Sequence, residues 1–558
     1  MTKKNHYSIL LLMVIFITEV YVYYLLFKEK CFYAFNINTH VHSIDSLRFY
    51  NQVYLKIPIQ DIIRQFFSPG YWPRLHYAFT ALFISLFGRN YMSMAMVNLL
   101  YLLILMISVY GITIEVTKDR WCALLSAFVI SVNPGIVQFM KIFELQMGVI
   151  AFTSLSIYFL ILSNYFKKTI YTILFAIFVC FSMYMDRATP IVFVIGPVIY
   201  ILYKVMKEIR NKNFDKKFFL NIVLVSLIIS IILKPFYFAW VKNVLLNKTR
   251  FFTMCSTWAG YDGTKIWKEL INFGSPFFFK RSFFYITIFP NWLLGIFWSI
   301  IFLCSMPLFL KNKCQYSYIF LWWLIFPIIF FTIIPKKDFS YIIPILSPIA
   351  IIISIGFYSF KNRLLRIYSL AIILLFGIAQ FIIFAFYLDV HAIPKLALRK
   401  LFTNINMARK DPVIFEIFYP NFPDKDVYQW ISDDIVKFFP SDEKFKITMV
   451  SQREMPGWYE YYFGVVMLLY NPRAIVSLFF TPSDCLEFNC SDSDYVAFIK
   501  MKNSQKSLDS EMKDQLNFYN IIDLDKLKIN LQDYTLVYKK PHPILPVEVE
   551  IYRKSSLE

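Results

Sequence analysis

Up to about residue 389 the chain is a succession of long apolar runs separated by short polar connections, and beyond residue 391 that pattern stops. The runs fall at about 7–27, 91–114, 121–139, 145–163, 170–185, 188–203, 218–240, 289–310, 315–334, 339–359 and 367–389. A helix needs roughly 20 apolar residues to cross a hydrocarbon core of about 30 Å, so the runs predict about eleven transmembrane helices. After them come strand-like runs, KFKITMVS, YFGVVMLLY, AIVSLFF, DYVAFIKM, YTLVYKK and VEVEIYRK, alternating with helical stretches such as DVYQWISDDIVKFF and SLDSEMKDQLNFYNII. That alternation predicts a soluble α/β sandwich. It carries no phosphate loop, nucleophile elbow or HExxH motif. The expected organisation is an α-helical polytopic membrane domain, 1–389, followed by a C-terminal soluble α/β domain, 390–558.

Composition supports this division. The chain is 58% hydrophobic and 17% charged, against nearer half and a quarter in soluble domains. The net charge of +20 would suggest nucleic acid in a soluble protein. Here it is explained by membrane topology, and no basic groove module for nucleic acid is visible. Every second short connection is basic: Lys3 and Lys4; Lys118 and Arg120; Lys167 and Lys168; 204–217; Lys311 and Lys313; Lys361, Arg363 and Arg366. Short basic loops stay in the cytoplasm. The expected protein therefore crosses the plasma (inner) membrane many times, with its N-terminus cytoplasmic and its C-terminal domain outside. The first run is read as a retained signal anchor, since it is long and no A-x-A-like site follows it.

Three outer segments then have room for chemistry: 28–90, 241–288 and the C-terminal domain. Basic residues on that face are not needed for topology, which makes Arg187, Lys336 and Lys337 candidates for holding a phosphate. Asp45 is the only acid between Lys30 and Asp61, and by position alone it is a solvated loop acid. His40 and His42 just before it lack helical metal-ligand spacing and read as interfacial loop histidines. His76 is either an acceptor contact or a packing residue. The 241–288 loop mixes basic and aromatic side chains, which suits an interface. Glu19 lies mid-way along the first run, where an acid must be paired, protonated or facing a cavity. Lys234 lies near the outer end of its run and reads as a snorkelling side chain. Cys485 and Cys490 in CLEFNC form either a local disulfide, given an oxidising outer compartment, or two free thiols.

Four segments resemble, in order, the GT-C glycosyltransferases, nearest the branch of protein O-mannosyltransferases and lipid A aminoarabinose transferases. They are PRLHYAFTALFISLFG, then DRWCALLSAFVISVNPGIVQFMKIFELQMGV, then CFSMYMDRATPIVFVIGPV, and finally PKKDFSYIIPILSPIA. The family's acid at the opening of a helix falls on Glu144, its basic residue on Arg187, and its K-x-x-(R/H)-Y-x-x-P-x-x-P pattern on Lys337, Tyr341, Pro344 and Pro348. Three positions depart from the pattern: Ser46 follows Asp45 where the family often has Glu, Arg74 replaces a Pro, and Ser340 stands before Tyr341.

The resemblance implies inverting transfer of a sugar from a polyprenyl-phosphate carrier, the donor, to a glycan, lipid or protein acceptor. Such a reaction needs one base to take the acceptor's proton, and the resemblance gives that role to Asp45. It needs no separate acid, because phosphate is a good leaving group. It does need positive charge or a divalent metal on that phosphate. Arg187, Lys336 and Lys337, with Tyr341 beside them, fit the phosphate clamp. Glu144 and His76 would position the acceptor or, for Glu144, ligate a metal. On its own position Glu144 equally reads as an exposed acid at a helix start. A transporter or flippase for lipid-linked glycans is the alternative, and it predicts inverted repeats and polar groups at mid-depth.

Overall fold

A computed structural model describes residues 3–29, 37–66, 73–186, 189–210, 216–246, 285, 293–312, 314, 316–333, 339–386, 431–451, 459–479, 493–501, 534–541 and 547–555. In chain order the helices are α1 (Lys3–Glu29), α2 (Ile37–Tyr54), α3 (Ile59–Phe66), α4 (Leu75–Phe87), α5 (Tyr91–Ala95), α6 (Val97–Thr117), α7 (Arg120–Ser131), α8 (Pro134–Lys141) and α9 (Gln146–Leu162). They continue with α10 (Thr169–Met185), α11 (Thr189–Arg210), α12 (Lys216–Leu246), α13 (Gly295–Lys311), α14 (Ser317–Ile333), α15 (Leu346–Tyr358) and α16 (Arg363–Phe386). A 3₁₀ turn, Phe339–Ile345, leads into α15, and α17 (Tyr459–Tyr470) lies among the C-terminal strands. Each predicted apolar run has a helix within it. Among the described residues six helical stretches are long and apolar enough to cross a membrane, or seven if a bent pair is counted as one span.

That bent pair is α7–α8, which the sequence pattern presents as one span. The axis turns by 52° between Ser131 and Pro134. The Asn133 side chain accepts the Gly135 N–H at 3.0 Å, and Pro134 occupies the first turn of α8. Proline at that position starts a helix without losing a bond, but it cannot continue one arriving from upstream.

The chain divides into two compact units. The first comprises 1–30, 59–76 and 95–411. Its centre is the packing of α6 on α7 and α9, of α9 on α10, and of α15 on α13 and α7. Glycine permits two close approaches: a Cβ at Gly196 would sit 2.6 Å from the Trp322 carbonyl oxygen, and one at Gly356 2.5 Å from that of Ser305. Helices that lack a hydrophobic drive to associate in lipid gain their contact energy from such packing. By contrast α1, α12 and α16 leave Leu10, Ile17, Leu227, Ile231, Leu375 and Ile378 exposed, as lipid-facing helices do. Glu19 is buried and faces Ser131 at the end of α7, beside the bend. Lys234 is exposed.

The second unit comprises 31–58, 77–94 and 412–558. Its sheet contains β1 (Lys446–Ser451), β2 (Ile475–Phe479), β3 (Tyr495–Met501), β4 (Tyr534–Pro541) and β5 (Val547–Lys554), in the order β2-β1-β3-β5-β4. β1 runs parallel to both β2 and β3, while β5 is antiparallel to β3 and β4. Two parallel neighbours need a crossover between them. α17 supplies it between β1 and β2, so YFGVVMLLY, a strand-like run by sequence, is helical. Its residues Phe463, Val465, Met467 and Leu468 are all buried; a run apolar on most sides fits a buried helix as well as a buried strand. Among the described residues the domain is one open mixed sheet with helical cover, the α/β layering expected. Val549 and Ile551 fill one face of β5, while Glu548 and Glu550 on the other are held by Lys539 at 3.6 and 2.6 Å.

Candidate active site

In the second unit, Asp45 lies within α2 and not in an irregular loop. The helix buries Ser43, Ile44, Ser46, Leu47 and Asn51 and leaves Asp45 one-third exposed. One turn on, Arg48 Nη1 lies 3.5 Å from Asp45 Oδ1, the spacing at which opposite charges on a helix meet. One turn back, His42 is buried with Nδ1 3.0 Å from the Tyr77 hydroxyl. Burial pushes its imidazole down from 6.5 to about 3, so it is a neutral structural group and not the exposed loop histidine its position suggested. The His40 side chain lies outside the described residues.

In the first unit, Glu144 sits in the break between α8 and α9 and is only 3% exposed. The expectation of an exposed acid at a helix start is therefore wrong about its surroundings. The break is held by Asn98 on α6. Its amide donates to the carbonyls of Phe139, Met140 and Ile142 at 3.3, 3.3 and 2.9 Å. These are carbonyls that the end of α8 would otherwise leave without a helical partner. Lys141 is buried in the same turn.

His76 is fully buried and faces this break. Its Nδ1 lies 3.1 Å from the Tyr101 hydroxyl, and its ring centroid is 4.7 Å from that of Phe143, the residue before Glu144. The structure thus gathers His76, Asn98, Tyr101, Lys141 and Glu144 around one interruption of the helical backbone. Tyr341 is half-buried in the 3₁₀ turn, its ring 5.4 Å from that of Phe331. That turn packs on α9 and α14, so Tyr341 stands on an element that touches the helix Glu144 precedes. Arg187, Lys336, Lys337, Cys485 and Cys490 lie outside the described residues. Among the described residues no three His, Cys, Asp or Glu side chains come together, so none is assigned to a divalent metal.

Sequence reasoning missed Arg48, Asn98 and Arg89. Arg48 was signalled by its i,i+3 spacing from Asp45, once α2 is recognised as a helix. Asn98 had no local signal, because its three acceptors lie more than 40 positions away.

Residues 72–260 match the family described as dolichyl-phosphate-mannose-protein mannosyltransferase. Among solved structures, the chain is similar to ArnT from Cupriavidus metallidurans bound to undecaprenyl phosphate, with TM-score 0.56, 12% identity and 98% of each chain covered. The same protein in its apo state aligns with TM-score 0.48, 11% identity and 98% of each chain covered. The chain has the fold of the undecaprenyl-phosphate-bound ArnT structure. No curated protein sequence matches it. The family match contains three of the four resembling segments and both Glu144 and His76, while the Lys337–Pro348 segment lies beyond it. With its apolar helices and C-terminal sheet, the chain is a multi-pass membrane protein.

Proposed function

We propose that this protein transfers a sugar from a polyprenyl-phosphate carrier to an acceptor on the extracytoplasmic face, with inversion, using Asp45 as general base. The observation that carries the reading is the setting of Asp45. It is a partly exposed acid on a helix that is otherwise buried on one side, with a guanidinium 3.5 Å away, and so is open to an incoming acceptor as a base must be. The family match and the GT-C fold support the donor class. Arg187, Lys336 and Lys337, with Tyr341, fit the leaving phosphate, and Glu144 with His76 fits acceptor positioning. The orientation rests on the basic cytoplasmic loops.

A deletion strain complemented with wild-type or Asp45→Asn protein tests it. Mass spectrometry of envelope glycans and lipid A should show one modification missing from the deletion and from Asp45→Asn, with the lipid-linked donor accumulating. A normal level in Asp45→Asn removes the base assignment. Lipid-linked glycan stranded on the cytoplasmic leaflet in the deletion would favour the flippase.

A further inference from the structure

Asp45 and the C-terminal sheet lie some 400 positions apart in the chain, yet they belong to one compact unit, and one side chain touches both. Arg48 places Nη1 3.5 Å from Asp45 Oδ1 and donates from Nη2 to the Val476 carbonyl oxygen at 2.7 Å. Val476 lies on β2, which among the described residues is an edge strand paired with β1. An edge strand leaves one row of backbone groups without partners in the sheet, and Arg48 takes one of them. A planar guanidinium can serve two acceptors at once in fixed geometry, which an ammonium on a flexible stem cannot.

A second arginine makes an equivalent contact. Arg89 Nη2 donates to the Leu468 carbonyl oxygen at 2.7 Å and also to that of Leu469. These carbonyls lie in the last turn of α17, where such groups lack helical partners and a cation is favoured. α17 itself packs on α2. Two arginines, each just inside a separate N-terminal segment of the unit, therefore bind main-chain oxygens of the β1–α17–β2 crossover.

We infer that Arg48 is a positioning residue for Asp45, and that through it the C-terminal domain is a working part of the transferase and not an appended recognition module. This rests on the reading of Asp45 as base. The guanidinium holds the carboxylate at one rotamer. The Val476 carbonyl fixes the guanidinium, so the position of β2 sets the position of the base. Because the acceptor is a backbone oxygen, the link depends on the sheet's presence and not on the side chains of β2.

The test uses full-length protein as wild type, Arg48→Gln, Arg48→Lys and Asp45→Asn. Hydrogen–deuterium exchange is measured on purified protein in nanodiscs, and envelope glycan and protein levels in the complemented deletion strain. Arg48→Gln should raise exchange in peptides covering 37–54 about tenfold. It should lower the glycan about tenfold at an unchanged protein level. A purely structural role would lower glycan and protein level together. Arg48→Lys keeps the charge but loses the fork, so it should raise exchange while keeping a glycan level between the other two. If Arg48→Gln fails to insert, Arg48→Lys decides: wild-type exchange and full glycan would overturn the proposal, as would a glycan loss in Arg48→Gln matched by an equal loss of protein. Wild-type glycan in Asp45→Asn would sink the base assignment alone, while the exchange data still decide whether Arg48 anchors α2 to the sheet.

Discussion

Asp45 and Glu144 are both acids to which the family resemblance gives a role, and the structure gives them opposite surroundings. Asp45 lies on the surface of a continuous helix, one-third exposed, with a cation one turn away. Glu144 lies in a break between two helices, 3% exposed, among His76, Phe143 and the carbonyls that Asn98 satisfies. An acid that must accept a proton from an incoming acceptor needs access and a stabilised anion. A buried acid in irregular backbone is suited to fixing geometry, because its neighbours over-determine where it can point. Residue type alone does not separate a base from a positioning group; exposure and the neighbouring charge do.

The contrast can be broken in order of expected effect. Asp45→Asn should reduce transfer by at least about 100-fold with little change in thermal stability, the scale of a lost general base. Glu144→Gln, which keeps the shape, should reduce it about tenfold and chiefly through acceptor KM, whereas Glu144→Ala should also lower the unfolding temperature in detergent. Equal kcat losses in Asp45→Asn and Glu144→Gln would erase the distinction. Asn98→Ala leaves three carbonyls near Glu144 without their amide donor and should cost about 2 kcal/mol of stability, read as a lower thermal midpoint. If that midpoint is unchanged, the break is held by something else.

The last contrast is a pH dependence at His42, felt only below about pH 6.5. Its folded-state value is lowered to about 3 from 6.5 by burial, so the folded form holds fewer protons than the unfolded one between those values. Stability is therefore complete above about pH 6.5 and falls as the pH drops towards about 3, by about 1.4 kcal/mol per pH unit. Hydrogen exchange in α2 should rise between pH 7 and pH 5 in the wild type. His42→Gln, which can still bond the Tyr77 hydroxyl, should flatten that rise.

Much of the helical architecture was legible because lipid imposes a length on apolar runs. The runs at 170–185 and 367–389 are matched by α10 and α16 within a few residues. The run at 121–139 was misread as unbroken because hydropathy does not register a change of axis, although Asn133-Pro134 marks it. In the C-terminal domain, KFKITMVS and DYVAFIKM are strands as expected. YFGVVMLLY is a helix because β1 and β2 are parallel, and strand direction is a property of the whole sheet. In the candidate site, spacing could have indicated Arg48, but no local pattern could place Asn98 beside Glu144, or Val476 beside Arg48.

The sequence by itself determined the membrane class, the strand-bearing C-terminal region and the residue types available for phosphate and proton chemistry, since burial in lipid and charge placement are written locally. Tertiary structure alone decided that α7 and α8 part at 52°, that Glu144 is buried while Asp45 is not, and that Arg48 reaches the edge of a sheet formed from residues more than 400 positions later. Those facts depend on which surfaces meet, and a guanidinium's partner is chosen by three-dimensional reach and not by sequence distance.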